Sequence, residues 1–237
     1  MLEISLDVPK GSMPAYVAEP TGAGPHPGVL VVSDALGMTT DLRNQADWLA
    51  SQGFLAAAPD LFHWGGRARC LFETMRQALL REGHVFDALE ATRAWLAGHP
   101  RSTGRVGVVG FCLGGGFAVL LAGTGRYDAA SVNYGAVPKD ALDLLAGSCP
   151  VVGSYGSKDS LRIDMERLAA ALGAHGIPYD VREYPEAGHS FLNDHDPAEV
   201  PRWAVIAGAF SNSEYHESSA LDARRRIADF LAVHLGG

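Results

Sequence analysis

Val106-Gly107-Val108-Val109-Gly110-Phe111-Cys112-Leu113-Gly114-Gly115-Gly116 decides the reading of this chain. Its apolar, β-branched start suits a buried strand, and the apolar stretch after Gly116 suits a helix. Between them lies Gly-x-Cys-x-Gly, the pattern of a nucleophile elbow with cysteine in the serine position. Such a turn holds its central residue in a strained conformation, and a side chain at Gly110 or Gly114 would collide with neighbouring backbone. It also sets Cys112 at a helix N-terminus, where free N–H groups and the helix dipole favour thiolate. Two other readings compete. A dinucleotide-binding turn needs Gly-x-Gly-x-x-Gly, which differs from the Gly-x-x-Gly-x-x-x-Gly found here. The plainer alternative is a buried structural cysteine, since free cysteine is among the most buried residue types. Catalysis therefore needs an acid and a base downstream.

Both occur, in the order of an α/β-hydrolase triad: nucleophile, acid, histidine. Pro150-Val151-Val152-Gly153-Ser154-Tyr155-Gly156 reads as a strand, and Asp159 falls just past its C-terminal end, where such sheets place functional groups. A helix-like stretch from Ile163 to His175 leads to the alternating strand Tyr179–Tyr184, and the loop after it presents His189. The 47 residues from Cys112 to Asp159, and 30 more to His189, leave room for a helix-strand unit between the partners. In the catalytic reading His189 exchanges a proton with the thiol and the leaving group, and Asp159 fixes its tautomer. In the structural reading Asp159 caps the helix predicted over 162–175 and His189 is an ordinary loop residue.

Gly110-Phe111-Cys112-Leu113-Gly114-Gly115, Gly188-His189-Ser190-Phe191 and Pro59-Asp60-Leu61-Phe62 together resemble the elbow, the histidine segment and the Pro-Asp-Leu signature of the dienelactone hydrolase family. The resemblance runs from about residue 10 to the final helix. It implies an α/β-hydrolase fold and hydrolysis of a small ester or lactone through a cysteine nucleophile and an acyl-thioester intermediate, with no cofactor. One oxyanion donor in this fold is the N–H after the nucleophile, here Leu113; the other comes from the loop after the third strand, here Ala35 in Ser33-Asp34-Ala35-Leu36-Gly37. Asp34 aligns with a family glutamate that interacts with the thiol, but its side chain is one methylene shorter. Its alternative role is to cap the helix over 41–52. Members that hydrolyse dienelactone carry an arginine shortly after the histidine, where this chain has Asn193, which points to a neutral or differently anchored substrate. Arg67 and Arg69 are candidates for a second family arginine. The expected substrate-binding or accessory set is Asp34, Leu36, Arg69, Tyr134 and Asn193; His63 and Trp64 are further candidates for the pocket wall.

The remaining sequence sets bounds. At 237 residues and 47% hydrophobic, the chain can bury the core of one α/β domain spanning 1–237. Nineteen basic against 27 acidic residues give a net charge of −8, which argues against a nucleic-acid or anionic-membrane partner. Arg224-Arg225-Arg226 is explained by solvation of a helix surface. The start of the chain lacks a signal-peptide pattern, and no 18-residue apolar run is present. Cys70, Cys112 and Cys149 form no even disulfide framework, so a reducing cytoplasm is expected, with Cys70 and Cys149 acting as small apolar residues. Monomer is the default expectation. His189, His195 and His216 lie close in sequence but match no zinc pattern, so no metal site is expected.

Strands are predicted near 2–8, 14–19, 28–33, 54–58, 105–110, 129–134, 150–155 and 179–184. Helices are predicted near 41–52, 71–97, 113–123, 138–146, 162–175 and 218–235. This alternation predicts a mostly parallel sheet of about eight strands with helices on both faces and an antiparallel edge hairpin at the N-terminus. Residues 194–217 are irregular and read as a lid or a surface excursion. Besides the cysteine hydrolase, two classes remain: a redox-responsive thiol protein, weakened by the lack of a nearby resolving cysteine, and a binding protein on a silent hydrolase scaffold.

Overall fold

The central strands are buried along both faces, and successive side chains point to opposite sides, which sorts the core onto the two faces of one sheet. In the computed structural model, which describes residues 2–159, 165–202, 204–206 and 212–236, the strands are β1 (Leu2–Val8), β2 (Gly11–Ala18), β3 (His26–Val32), β4 (Leu55–Pro59), β5 (Ser102–Phe111), β6 (Ala129–Asn133), β7 (Val151–Gly156) and β8 (Tyr179–Tyr184). The helices are α1 (Thr40–Ser51), α2 (Arg67–Leu80), α3 (His84–Gly98), α4 (Leu113–Ala122), α5 (Ala141–Leu144), α6 (Met165–Ala174) and α7 (Glu217–Leu235). Leu30 and Val32 of β3 face the cluster formed with α3, α4 and α6, while Val29 and Val31 face α1 and α7. All four side chains are buried, and each is worth about 1.5–3 kcal/mol on full burial.

The sheet order is β1-β2-β4-β3-β5-β6-β7-β8. Every pairing from β4 through β8 is parallel, and β2 pairs antiparallel with both β1 and β4. The edge hairpin is therefore present, closed by a turn at Pro9 and Lys10 that pairs Val8 with Gly11. Parallel strands need covering on both faces, and the helices supply it. The C-terminal ends of β3, β5, β6, β7 and β8 consequently lie along one rim, which carries the loops of interest.

Two predicted helices are corrected. The single helix expected over 71–97 is two helices, α2 and α3. Arg81 takes a left-handed conformation at φ 58° and its N–H bonds the Gln77 carbonyl at 2.7 Å, which ends α2. The Gln77 side chain then accepts from Val85 N–H at 2.9 Å, satisfying a donor in the first turn of α3. Apolar periodicity runs across the break and hides it. The helix expected over 138–146 shortens to the four residues of α5. Residues 162–164 of the predicted 162–175 helix, and 203 and 207–211 of the irregular segment, lie outside the described residues. No helix among the described residues is long and apolar enough to cross a membrane.

Candidate active site

The elbow forms because two strand ends and a helix start meet backbone to backbone. β5 pairs with β3 so that Gly110 sits opposite Val32. A Cβ on Gly110 would lie 1.9 Å from the Gly114 carbonyl oxygen, and one on Gly114 would lie 2.2 Å from the Val32 oxygen and 2.6 Å from that of Ser33. Only glycine permits this approach. Cys112 is left at φ 51°, ψ −111°, outside the ordinary regions for a side-chain-bearing residue. Its N–H is held by the Asn133 carbonyl of β6 at 3.0 Å. Leu113 begins α4, so its N–H has no acceptor within the helix. The contact of Gly114 with Val32 and Ser33 sets the loop bearing Ala35 beside that helix start. The two expected oxyanion donors thus lie on adjoining elements.

The candidate acid and base come from the ends of β7 and β8. Lys158 N–H bonds the Ala187 carbonyl at 2.9 Å, and a Cβ on Gly156 would lie 2.4 Å from the Gly188 oxygen, so the two loops press together. His189 Nδ1 lies 2.7 Å from Asp159 Oδ2, and both side chains are almost fully buried, at 6% and 5% exposure. The other ring nitrogen, Nε2, is buried without an oriented hydrogen-bond partner and faces the Cys112 thiol. Burial alone would lower the His189 pKa from 6.5; hydrogen bonding and charge from Asp159 and Cys112 outweigh it and push the value up to about 10.

Tyr134 and Asn193 serve this histidine from inside the protein. The Tyr134 ring meets the His189 ring edge-on at 5.1 Å between centroids, and Tyr134 is wholly buried at φ 43°. Its hydroxyl donates to Asn193 Oδ1, while Asn193 Nδ2 donates to Asp41 Oδ2 at 2.6 Å. Asp41 Oδ1 also accepts from Asp194 N–H at 2.9 Å and from Gln45 Nε2 at 3.3 Å. The expected substrate contacts at Tyr134 and Asn193 are therefore corrected: both side chains are spent on internal hydrogen bonds. Burial dominates the Asp41 carboxyl and raises its pKa despite these donors. Asp41 and Gln45 escaped the sequence reading because they sit on an ordinary amphipathic helix.

Asp34 is neither a helix cap nor a free neighbour of the thiol. Thr39 caps α1, its hydroxyl accepting from Leu42 N–H at 3.3 Å. Asp34 Oδ1 accepts from Leu36 N–H at 2.7 Å, and Oδ2 lies 2.8 Å from His195 Nε2. Leu36 itself is buried beside this turn. His195, considered in the sequence only as a metal ligand, is thus an ion-pair partner. The three nearby histidines go to different places: His189 to Asp159, His195 to Asp34, and His216 Nδ1 to Ser219 Oγ at 2.8 Å.

Beside the oxyanion loop, Asp60 accepts from Phe62 N–H at 3.0 Å, and the turn packs Phe62 against Gly37. Past it lies a cavity of about 320 Å³ lined by Lys10, Leu61, Trp64, Arg69, Glu73 and His84. Arg69 belongs to that wall, as does Trp64; Arg67 instead donates to the Glu199 carbonyl at 3.0 Å. Cys70 and Cys149 are buried, and burial pushes their thiols up, Cys149 to about 12, whereas Cys112 is partly exposed.

Residues 13–235 match the model of the dienelactone hydrolase family. The chain belongs to the dienelactone hydrolase family. It is 30% identical to the carboxymethylenebutenolidase of Pseudomonas putida over 229 residues, covering 92% of this chain and 90% of that one. A crystal structure from Klebsiella pneumoniae subsp. pneumoniae superposes with a TM-score of 0.77 at 28% identity, over 98% of this chain and 97% of the other. Dienelactone hydrolase from Anabaena variabilis, 18% identical, shares the fold with a TM-score of 0.71 over 99% and 97% of the two chains. As a dienelactone hydrolase family member with an eight-stranded α/β-hydrolase sheet, the chain is a hydrolase of ester or lactone bonds.

Proposed function

We propose that this hydrolase cleaves a small ester or lactone with Cys112 as nucleophile, His189 as acid and base, and Asp159 as the carboxylate that orients His189. The observation that carries the reading is the buried His189, with Nδ1 on Asp159 at 2.7 Å and Nε2 turned to Cys112. A thiolate paired with an imidazolium is nucleophilic without a separate deprotonation step. Attack on the carbonyl carbon gives a tetrahedral oxyanion, which accepts hydrogen bonds from Leu113 and Ala35 N–H. Collapse breaks the C–O bond, and His189 Nε2 gives its proton to the departing alkoxide, leaving a thioester on Cys112. In a lactone that alcohol stays tethered to the acyl group. Water then yields a proton to His189 and its oxygen attacks the thioester. The carboxylic acid departs and the thiolate–imidazolium pair returns.

Asn193 does not set charge selectivity in this scheme, because its amide is engaged at both ends. A free, partly exposed thiol suits a reducing cytoplasm. A redox-only role is disfavoured by the burial of both other cysteines. Steady-state hydrolysis of a panel of small esters and lactones, wild type beside Cys112→Ala, tests the proposal. Turnover confined to the wild type, with an acyl mass adduct on Cys112 in quenched reactions, is the expected result; equal rates in both proteins would refute it.

A further inference from the structure

We propose that His195 is a positioning residue for the oxyanion hole, acting through Asp34; the inference rests on the hydrolase reading above. The two oxygens of Asp34 divide two tasks. Oδ1 accepts from Leu36 N–H at 2.7 Å and Oδ2 meets His195 Nε2 at 2.8 Å. The first contact closes a short turn over residues 34–36, so it fixes the peptide planes on either side of Ala35, the residue whose N–H is assigned to the oxyanion. Gly37 N–H on the Asp34 carbonyl and the Phe62 ring against Gly37 complete the turn.

A buried carboxylate with a single neutral donor is poorly compensated. Asp34 is 7% exposed, and the His195 ring nitrogen at 2.8 Å is the second partner of its carboxylate. Three carboxylates face His195: Asp34, Asp41 at 4.0 Å from Nδ1, and Glu199. Burial works against its charge, and these carboxylates outweigh it and raise its pKa. His195 is brought there by the chain that leaves the His189 loop. Asp194 N–H is tied to Asp41 and Glu199 to Thr40 N–H and Oγ1 at 2.8 and 3.0 Å. One brace therefore joins the loop that holds the base to the loop that holds an oxyanion donor. Without His195, nothing pins Oδ2, the Asp34 side chain turns toward water, Leu36 N–H is released, and the Ala35 N–H loses its aim.

Three readouts on His195→Gln separate this role from a general structural one. kcat for a small ester should fall about 10- to 100-fold, less than the 10²–10³ typical of deleting a donor outright, with KM held within about threefold. Inhibition by a small trifluoromethyl ketone, whose adduct on Cys112 carries an oxyanion, should weaken by a similar factor. Alkylation of Cys112 by iodoacetamide, which forms no oxyanion, should keep its rate. Asp34→Asn, whose Oδ1 can still accept from Leu36 N–H, should lose less than Asp34→Ala, and this pair decides the matter if His195→Gln fails to fold. Unchanged kcat and ketone inhibition would overturn the proposal. So would alkylation falling in parallel, because the effect would then travel through the thiol. Full ester turnover in Cys112→Ala would instead remove the nucleophile reading, and this inference with it.

Discussion

Two histidine–carboxylate pairs lie six residues apart in the chain and differ in which ring nitrogen meets the acid. His189 gives Nδ1 to Asp159 at 2.7 Å and keeps Nε2 for the thiol. His195 gives Nε2 to Asp34 at 2.8 Å and leaves Nδ1 unpartnered, 4.0 Å from a second carboxylate. In both rings the neighbouring acids outweigh burial and raise the pKa. Only one has a thiol on its far side. Proton chemistry therefore follows from what the second nitrogen faces, and the strength of the ion pair alone does not identify a catalytic histidine.

The largest expected contrast is kinetic. His189→Gln should lower kcat/KM by on the order of 10⁴, the scale of losing a triad member, against the much smaller loss set out above for His195→Gln. Parallel steady-state assays of the two variants measure it, and comparable losses would erase the distinction. Next in size is the effect of the acid. In the wild type the proton that His189 gives to the leaving group is retained until pH approaches about 10, so turnover should fall as pH rises through that value. Asp159→Asn removes a group that raises the His189 pKa, so the alkaline limb should move to lower pH; Asp34→Asn should leave it in place.

A third contrast lies in stability. A histidine whose folded pKa is raised stabilises fully below its unfolded value of 6.5, and the contribution is lost as pH rises through the folded value. For His189 that window runs from 6.5 to about 10. Chemical denaturation across this range should show wild-type stability declining, and Asp34→Asn should flatten the part owed to His195. The smallest effect belongs to Glu199→Gln. It weakens an exposed contact with Thr40, so unfolding free energy should change by no more than about 1 kcal/mol. A drop of several kcal/mol would mean that the brace carrying His195 is more deeply structural than its exposure suggests.

The candidate triad residues stand out in the sequence because each sits at a strand end with its own local signal: glycines around Cys112, a turn after an apolar strand for Asp159, Gly-His-Ser for His189. The central sheet was legible for the same reason. The break between α2 and α3 was not, since it depends on Arg81 turning left-handed and on Gln77 reaching forward to Val85. Nor was the Asp34–His195 pair, whose members are 161 positions apart. Each has a plausible local role, a helix cap or a metal ligand, that gives no hint of the other. Tyr134 and Asn193 are buried on internal hydrogen bonds, an engagement that their positions in the sequence do not reveal.

The seams at Gly110–Gly114, Gly114–Val32 and Gly156–Gly188 have a consequence for how such a protein can diverge. Main chain touches main chain there, so the spacing of thiol, acid and base is inherited from peptide geometry and owes little to the side chains around it. Loops with no part in these seams can accept new residues without disturbing that template. The stretch from Leu61 to Arg69, which walls a cavity and takes no part in the three seams, is one place where sequence can change while this template stays fixed.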